Sequence, residues 1–183
     1  MRTADHPPAT ANLYKLMIPP DPRYQNLFFL GFIELFGPLP PAVEAQSRYA
    51  AAMLSGRVSR PGSTEMAASI KKMHSYQVKN YLRTPRHALT LQGIPYVDDI
   101  LAPLYAVPTF PRLLSRVFTG NPIKGLQVLS AVWFGVPTSA MWRLCGHGAK
   151  PELARETVLR ISGDNEKMSK AETALLERTK VVV

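Results

Sequence analysis

The sequence holds one cysteine, Cys145, which leaves no internal disulfide framework and no cysteine-built zinc site, fits a reducing compartment and reads by default as a buried structural thiol. Histidine is also scarce: His6, His74, His87 and His147 lie far apart without paired ligand spacing, so no metal centre is expected. No serine stands in a nucleophile elbow, and no P-loop is present. The G-x-G-x-x-G turn that lets a pyrophosphate reach backbone amides is missing as well. The one G-x-G, Gly146-His147-Gly148, has Pro151 where the third glycine would stand. The first residues, MRTADHPPATAN, have no apolar core, so residues 1–12 read as a disordered leader and the chain as not secreted. Acidic residues are few, 13 against 22 basic ones, for a formal net charge of +9. That excess could attract nucleic acid, an anionic membrane or a phosphorylated cofactor. The basic residues are scattered without aromatic interleaving, however, which argues for a solvated basic surface and against a nucleic-acid partner.

Proline is abundant, with 17 in 183 residues, and it cuts the chain into short elements. At 46% hydrophobic and 19% charged residues, the composition is that of an ordered chain of one domain or one and a half.

The most informative stretch runs from Asn26 to Ala51. Leu27-Phe28-Phe29-Leu30 is a continuous apolar run that suits a strand buried on both faces, as in a parallel sheet. Gly31 would let a ligand or another backbone approach closely. Gly37-Pro38-Leu39-Pro40-Pro41 cannot be helix interior, but Pro41 suits a first helical turn. A helix is therefore expected from Pro40 to Leu54, ending at Gly56, with Val43, Gln46, Ala50 and Met53 on its apolar stripe. Strand, glycine turn and helix amino terminus together form the geometry that offers N–H groups and a positive dipole end to a cofactor. An ordinary sheet-edge unit without a ligand is the equal alternative on these grounds.

Several blocks in order carry a resemblance: Leu13-Tyr14-Lys15, Pro19-Pro20, Leu30-Gly31, Gly37, Pro41, then Glu44, Gln46, Arg48 and Tyr49-Ala50. Pro61 to Met66, Tyr96 to Ile100, and Trp142-Arg143-Leu144 to Ala154-Arg155 continue the order. Over residues 13 to 162 the chain resembles the carboxy-terminal third of the flavin-containing monooxygenases, FAD- and NADPH-dependent enzymes that oxygenate soft nitrogen and sulfur atoms of small molecules. The resemblance implies an α/β fragment, mostly helical. Residues 13–59 would end an FAD-binding Rossmann-like domain, 60–162 would form an irregular helical carboxy-terminal region, and 163–183 a polar terminal helix or tail. It further implies that both dinucleotide fingerprints lie upstream of this portion, so that the chain alone is inactive. Gly31, Glu34, Gly37, Leu39, Pro40 and Pro41 would face the FAD ring. One departure matters: many animal members carry Gln at the position of Glu34, and an ionised Glu beside an anionic reduced flavin would be repelled unless turned away or protonated.

Glu44 and Arg48, one helical turn apart, read as a pair on the surface or a brace for the fold in preference to catalytic groups. Leu13 to Ile18 reads as a short strand, 64–82 as an amphipathic helix with Met66, Ile70, Met73 and Val78 on one face, Arg86 to Leu91 as a brief strand, and 95–105 as a helix interrupted at Pro103. Asp98 and Asp99 are adjacent, which suits solvated carboxylates and not an acid/base pair. Phe110 to Thr119 has Leu113, Leu114 and Val117 at helical spacing. Gly125 to Trp142 carries no charge but is divided at Gly135-Val136-Pro137, which favours a buried or interfacial helix pair over a membrane span. Trp133, Trp142 and Arg143 would suit a membrane surface, and the family's vertebrate members are attached to the endoplasmic reticulum membrane, on its cytoplasmic side. Helices are also expected over 151–161 and 165–180. The rival functional reading is a non-enzymatic helical module that binds a membrane or a partner chain.

Overall fold

The computed structural model describes residues 11–81, 89–119 and 121–163. It is mostly helical, and its contacts divide it into two compact units, Met1–Leu104 and Tyr105–Val183. The expected leader up to residue 10, the start of the strand expected at Arg86 and the helix expected over 165–180 lie outside the described residues.

The first unit is built on strand β1 (Glu34–Phe36), helix α1 (Leu39–Leu54), helix α2 (Ser63–Asn80), strand β2 (Thr90–Gln92) and helix α3 (Gly93–Leu101). β1 and β2 pair in parallel, with Leu35 opposite Leu91. Gly93 then turns the chain directly into α3; a Cβ there would stand 3.2 Å from the Phe36 carbonyl oxygen, closer than side chains ordinarily sit. α1 begins on a proline pair, as its sequence requires, and ends where Gly56 takes a positive φ of 71° while its N–H donates to the Met53 carbonyl. Its buried face is Ala42, Ala45, Gln46, Tyr49, Ala50 and Ala52, rotated from the expected stripe, because small alanines rather than Val43 and Met53 let α1 approach α3. α2 buries Met66, Ile70 and Gln77, while Val78 points to solvent. After α3 the chain tightens into a 3-10 turn over Ala102–Leu104, which accommodates Pro103.

Two strand expectations are corrected. Leu27 to Leu30 is neither in a sheet nor buried: Leu27, Phe29 and Leu30 are exposed, and the Phe29 N–H donates to the Met17 carbonyl at 2.8 Å. No strand lies beside this run among the described residues, and a two-faced apolar strand needs cover on both sides. Sheet pairing begins only at Glu34, four residues later. Leu13 to Ile18 is likewise not a strand but a tight turn closed by reciprocal hydrogen bonds between Tyr14 and Ile18, with Lys15 and Leu16 both at φ 52°. Two non-glycine residues in that region cost about 1–2 kcal/mol each, offset by the complete burial of Leu16, Met17 and Ile18. A Rossmann-like sheet is not seen among the described residues; the two-stranded pair is the sheet they contain.

The second unit is a helical hairpin followed by an irregular segment. Helix α4 (Phe110–Thr119) packs on helix α5 (Pro122–Phe134), whose cap residue Asn121 accepts from the Lys124 N–H. The packing is tight at Gly125, where a Cβ would stand 2.8 Å from the Val117 Cα, and Phe110 meets Trp133 edge to face at 5.3 Å. The break expected at Gly135 is present, followed by a 3-10 turn over Ser139–Arg143. This corrects the expectation of a second helix, and Trp142 is buried, not interfacial. Gly146 and Gly148 both take positive φ in the turn before a helix over 151–163, and no strand precedes them among the described residues. No helix among the described residues is long and apolar enough to cross a membrane.

Candidate functional site

The tip of α1 is the most open part of the glycine and proline stretch. Gly37 has φ 130°, and a Cβ on it would meet nothing within 4 Å. Pro38 caps the helix without a side-chain hydrogen bond, and Leu39, Pro40 and Pro41 form its first turn. Proline has no N–H, so Leu39 carries the one backbone donor of that triplet. The tip therefore offers a dipole end, one N–H and an apolar surface. Phe36, at 64% exposure, and the exposed Leu39 supply that surface.

Gly31 and Glu34 are engaged elsewhere. The Gly31 N–H donates to Gln46 Oε1 at 2.7 Å, and Gly31, at φ 75°, sits against Val43 of α1. The Glu34 N–H donates to the Leu89 carbonyl, and its carboxylate accepts from the Thr90 hydroxyl at 2.8 Å. Glu44 and Arg48 stand 3.9 Å apart on one helical turn, as their spacing indicated.

A buried polar chain lies behind this stretch, and it was not anticipated. Gln46 Nε2 donates to the Tyr96 hydroxyl at 2.6 Å, and that hydroxyl donates to the Lys15 carbonyl at 2.8 Å. The Lys15 ammonium donates to the Asp99 carbonyl at 2.7 Å and forms an ion pair with the Asp99 carboxylate. Asp99 is thus not merely solvated, which corrects that expectation. The strained turn buries Lys15 beside α3, to 6% side-chain exposure, so its charge needs a partner there. Burial lowers the Lys15 pKa, an effect the Asp99 charge opposes. Burial also lifts Tyr14 and Tyr96 well above the ordinary tyrosine range. The Tyr96 hydroxyl therefore remains a donor throughout the physiological range. The sequence did hold a signal for this chain: Lys15, Gln46 and the Tyr96 to Ile100 block all belong to the blocks that carry the resemblance. Separations of 50 to 84 positions between the partners hid the contacts.

Among the described residues no group of three His, Cys, Asp or Glu side chains could hold a metal ion. The chain matches the family model described as flavin-binding monooxygenase-like over residues 6–180. It is 33% identical over 150 residues to flavin-containing monooxygenase 5 of Oryctolagus cuniculus, covering 82% of this chain and 26% of that protein. Against the Rattus norvegicus protein of the same name the identity is 34% over 148 residues, and against dimethylaniline monooxygenase [N-oxide-forming] 2 of Mus musculus it is 29% over 148 residues. The chain spans about a quarter of the length of these curated relatives. With a family match across nearly its whole length, the chain belongs to the flavin-binding monooxygenase-like family.

Proposed function

We propose that the chain is the carboxy-terminal portion of a flavin-containing monooxygenase whose whole protein uses FAD, NADPH and molecular oxygen to oxygenate soft nucleophilic nitrogen or sulfur atoms of small organic substrates. The observation that carries this reading is the similarity of 82% of the chain to a quarter of a protein named a flavin-containing monooxygenase. When bound, FAD supplies the redox and oxygen chemistry. The residues of this chain orient and shield. The open tip at Gly37, Leu39, Pro40 and Pro41 fits an electron-rich ring: its dipole end favours negative charge, and the flat prolines and Leu39 exclude water. The hydrogen bond from Thr90 ties the Glu34 carboxylate to β2, so Glu34 would brace the strand pair and not bind the ring. The Gly31 N–H serves its own fold, so Gly31 would shape the turn and not bind the ring through that group.

The sequence holds no G-x-G-x-x-G turn to cradle a pyrophosphate. The purified chain is therefore expected neither to retain FAD stoichiometrically nor to oxidise NADPH, as read by visible absorption and by the loss of NADPH absorbance. A flavin band near one equivalent per chain overturns this.

A specific observation favours a second reading, a module that docks on an anionic membrane surface on the cytoplasmic side of the endoplasmic reticulum. The α4–α5 hairpin exposes Phe118, Ile123, Trp133 and Phe134, the last to 85%. From Tyr105 to Pro151 the sequence holds Arg112, Arg116, Lys124, Arg143 and Lys150 and no acidic residue. Apolar and aromatic side chains among basic residues are the ingredients of interfacial binding. In flotation with vesicles of phosphatidylcholine and phosphatidylserine the chain should rise with the lipid, and Trp133→Ser with Phe134→Ser should leave it at the bottom. A chain that stays in the soluble fraction in both forms excludes membrane docking.

A further inference from the structure

Two pieces of the same stretch, the Gly31 turn and the α1 tip, are both fastened by α1. Val43 and Gln46 stand one turn apart on that helix; the first touches Gly31 and the second accepts its N–H. Residues 31–38 therefore form a loop whose far end is the start of α1 and whose near end is pinned two turns further along it. Strand β1, inside the loop, is held by β2.

We infer that Gln46 is the positioning residue of this loop, and that its amide, beyond its volume, sets the orientation of residues 31–39 through Gly31. What the loop faces rests on the flavin reading above; how it is held does not. The chemistry singles out an amide. Gln46 is fully buried and is a donor to one partner and an acceptor from the other: it gives a hydrogen to Tyr96 and takes one from Gly31. The Tyr96 hydroxyl has a single hydrogen, already given to the Lys15 carbonyl, so it must receive from Gln46. Donors and acceptors thus run one way from Gly31 to Lys15. A side chain of the same size that cannot both donate and accept leaves a buried partner unmet.

Three variants of the chain, read by the exchange protection of the Gly31 amide, test this. Gln46→Met should raise Gly31 exchange about tenfold, as expected for one lost hydrogen bond, while far-ultraviolet circular dichroism retains the helices. Tyr96→Phe removes only a hydroxyl and should raise it by a smaller factor, because the Gln46 amide then loses its acceptor. Gln46→Glu gives the readout that a space-filling role would not move. Its protonated carboxyl has the same donor and acceptor as the amide; its ionised form still accepts from the Gly31 N–H, as a stronger charge-assisted acceptor, but gives nothing to Tyr96, so Gly31 protection should rise with pH as the carboxyl ionises. Equal Gly31 protection in wild type, Gln46→Met and Tyr96→Phe, or a Gln46→Glu protection factor independent of pH, overturns the inference. Titration with a large excess of FAD, which a weak site still registers, separates the flavin reading: shifts in the Leu39 and Gly37 amides support it, and amides unshifted even in that excess count against it while the exchange result stands on its own.

Discussion

Gly125→Val should lower the stability of the helical hairpin by about 3 kcal/mol, the range of an overpacked core contact. A Cβ at this position would lie 2.8 Å from the Val117 Cα and 3.1 Å from its Cγ2. The first neighbour is backbone and yields only if α4 moves as a whole. Alanine makes the sharper test, because two effects oppose each other. Helix propensity favours alanine over glycine in a helix interior by about 1 kcal/mol, whereas the contact with Val117 penalises any Cβ. A net loss in urea denaturation of Gly125→Ala shows that the contact prevails. The signal to follow is the near-ultraviolet dichroism of Trp133, whose edge contact with Phe110 depends on the separation of the two helices. Gly62→Ala is the control for packing: nothing lies within 4 Å of its Cβ, so it should cost only the preference of the α2 cap for glycine over alanine, about 0.5–1 kcal/mol. If Gly125→Ala stabilises the chain, the close approach of α4 and α5 is wrong.

Asp99→Ala should cost more than Lys15→Met, although the two remove opposite ends of one ion pair. Without Asp99 the buried ammonium keeps the main-chain carbonyl at 2.7 Å, the rings of Tyr14 and Tyr49 at 5.6 and 5.9 Å, and the weaker pull of the Glu65 charge. Stranding a charge costs about 3–5 kcal/mol in a fully buried pair, but the 62% exposure of the Asp99 side chain brings the expectation down to about 1–2 kcal/mol. Lys15→Met removes the charge, keeps the methylenes and should cost under about 1 kcal/mol. The pH dependence separates the two variants. Burial holds the Lys15 pKa below its ordinary 10.5, and loss of Asp99 deepens that lowering. Between the lowered value and 10.5 the unfolded chain binds a proton that the folded chain does not, so stability rises with pH across that interval. Asp99→Ala should regain stability there, and Lys15→Met should show no such rise. The buried tyrosines act oppositely. Tyr14, Tyr49 and Tyr96 are raised, so above 10.0 the folded chain keeps protons that the unfolded chain loses, and every form weakens. Urea midpoints followed across this range give both limbs; parallel curves for the two variants would overturn the buried-charge account.

Elements governed by local chemistry were legible from the sequence. Pro40 and Pro41 with Gly56 bounded α1 to within a residue, Pro103 marked the change from α-helix to 3-10 turn, and Gly135 ended α5, since each acts through its own backbone. The family was legible too, from blocks whose order survives at about one-third identity. Placement of the strand failed because the apolar run Leu27 to Leu30 signals only that burial is wanted, not that this chain supplies the covering surface.

The sequence by itself determined the limits of α1 and the end of α5, the basic character of residues 105–151 without an acidic residue, the absence of a G-x-G-x-x-G turn and the family. Tertiary structure alone decided that Lys15 is buried against Asp99, that Gln46 holds Gly31, and that Trp142 turns inward while Trp133 stays out. The physical reason is range. Propensity, caps and charge act over a few residues along the chain, whereas a buried hydrogen bond between positions tens of residues apart exists only once packing has removed water from both ends.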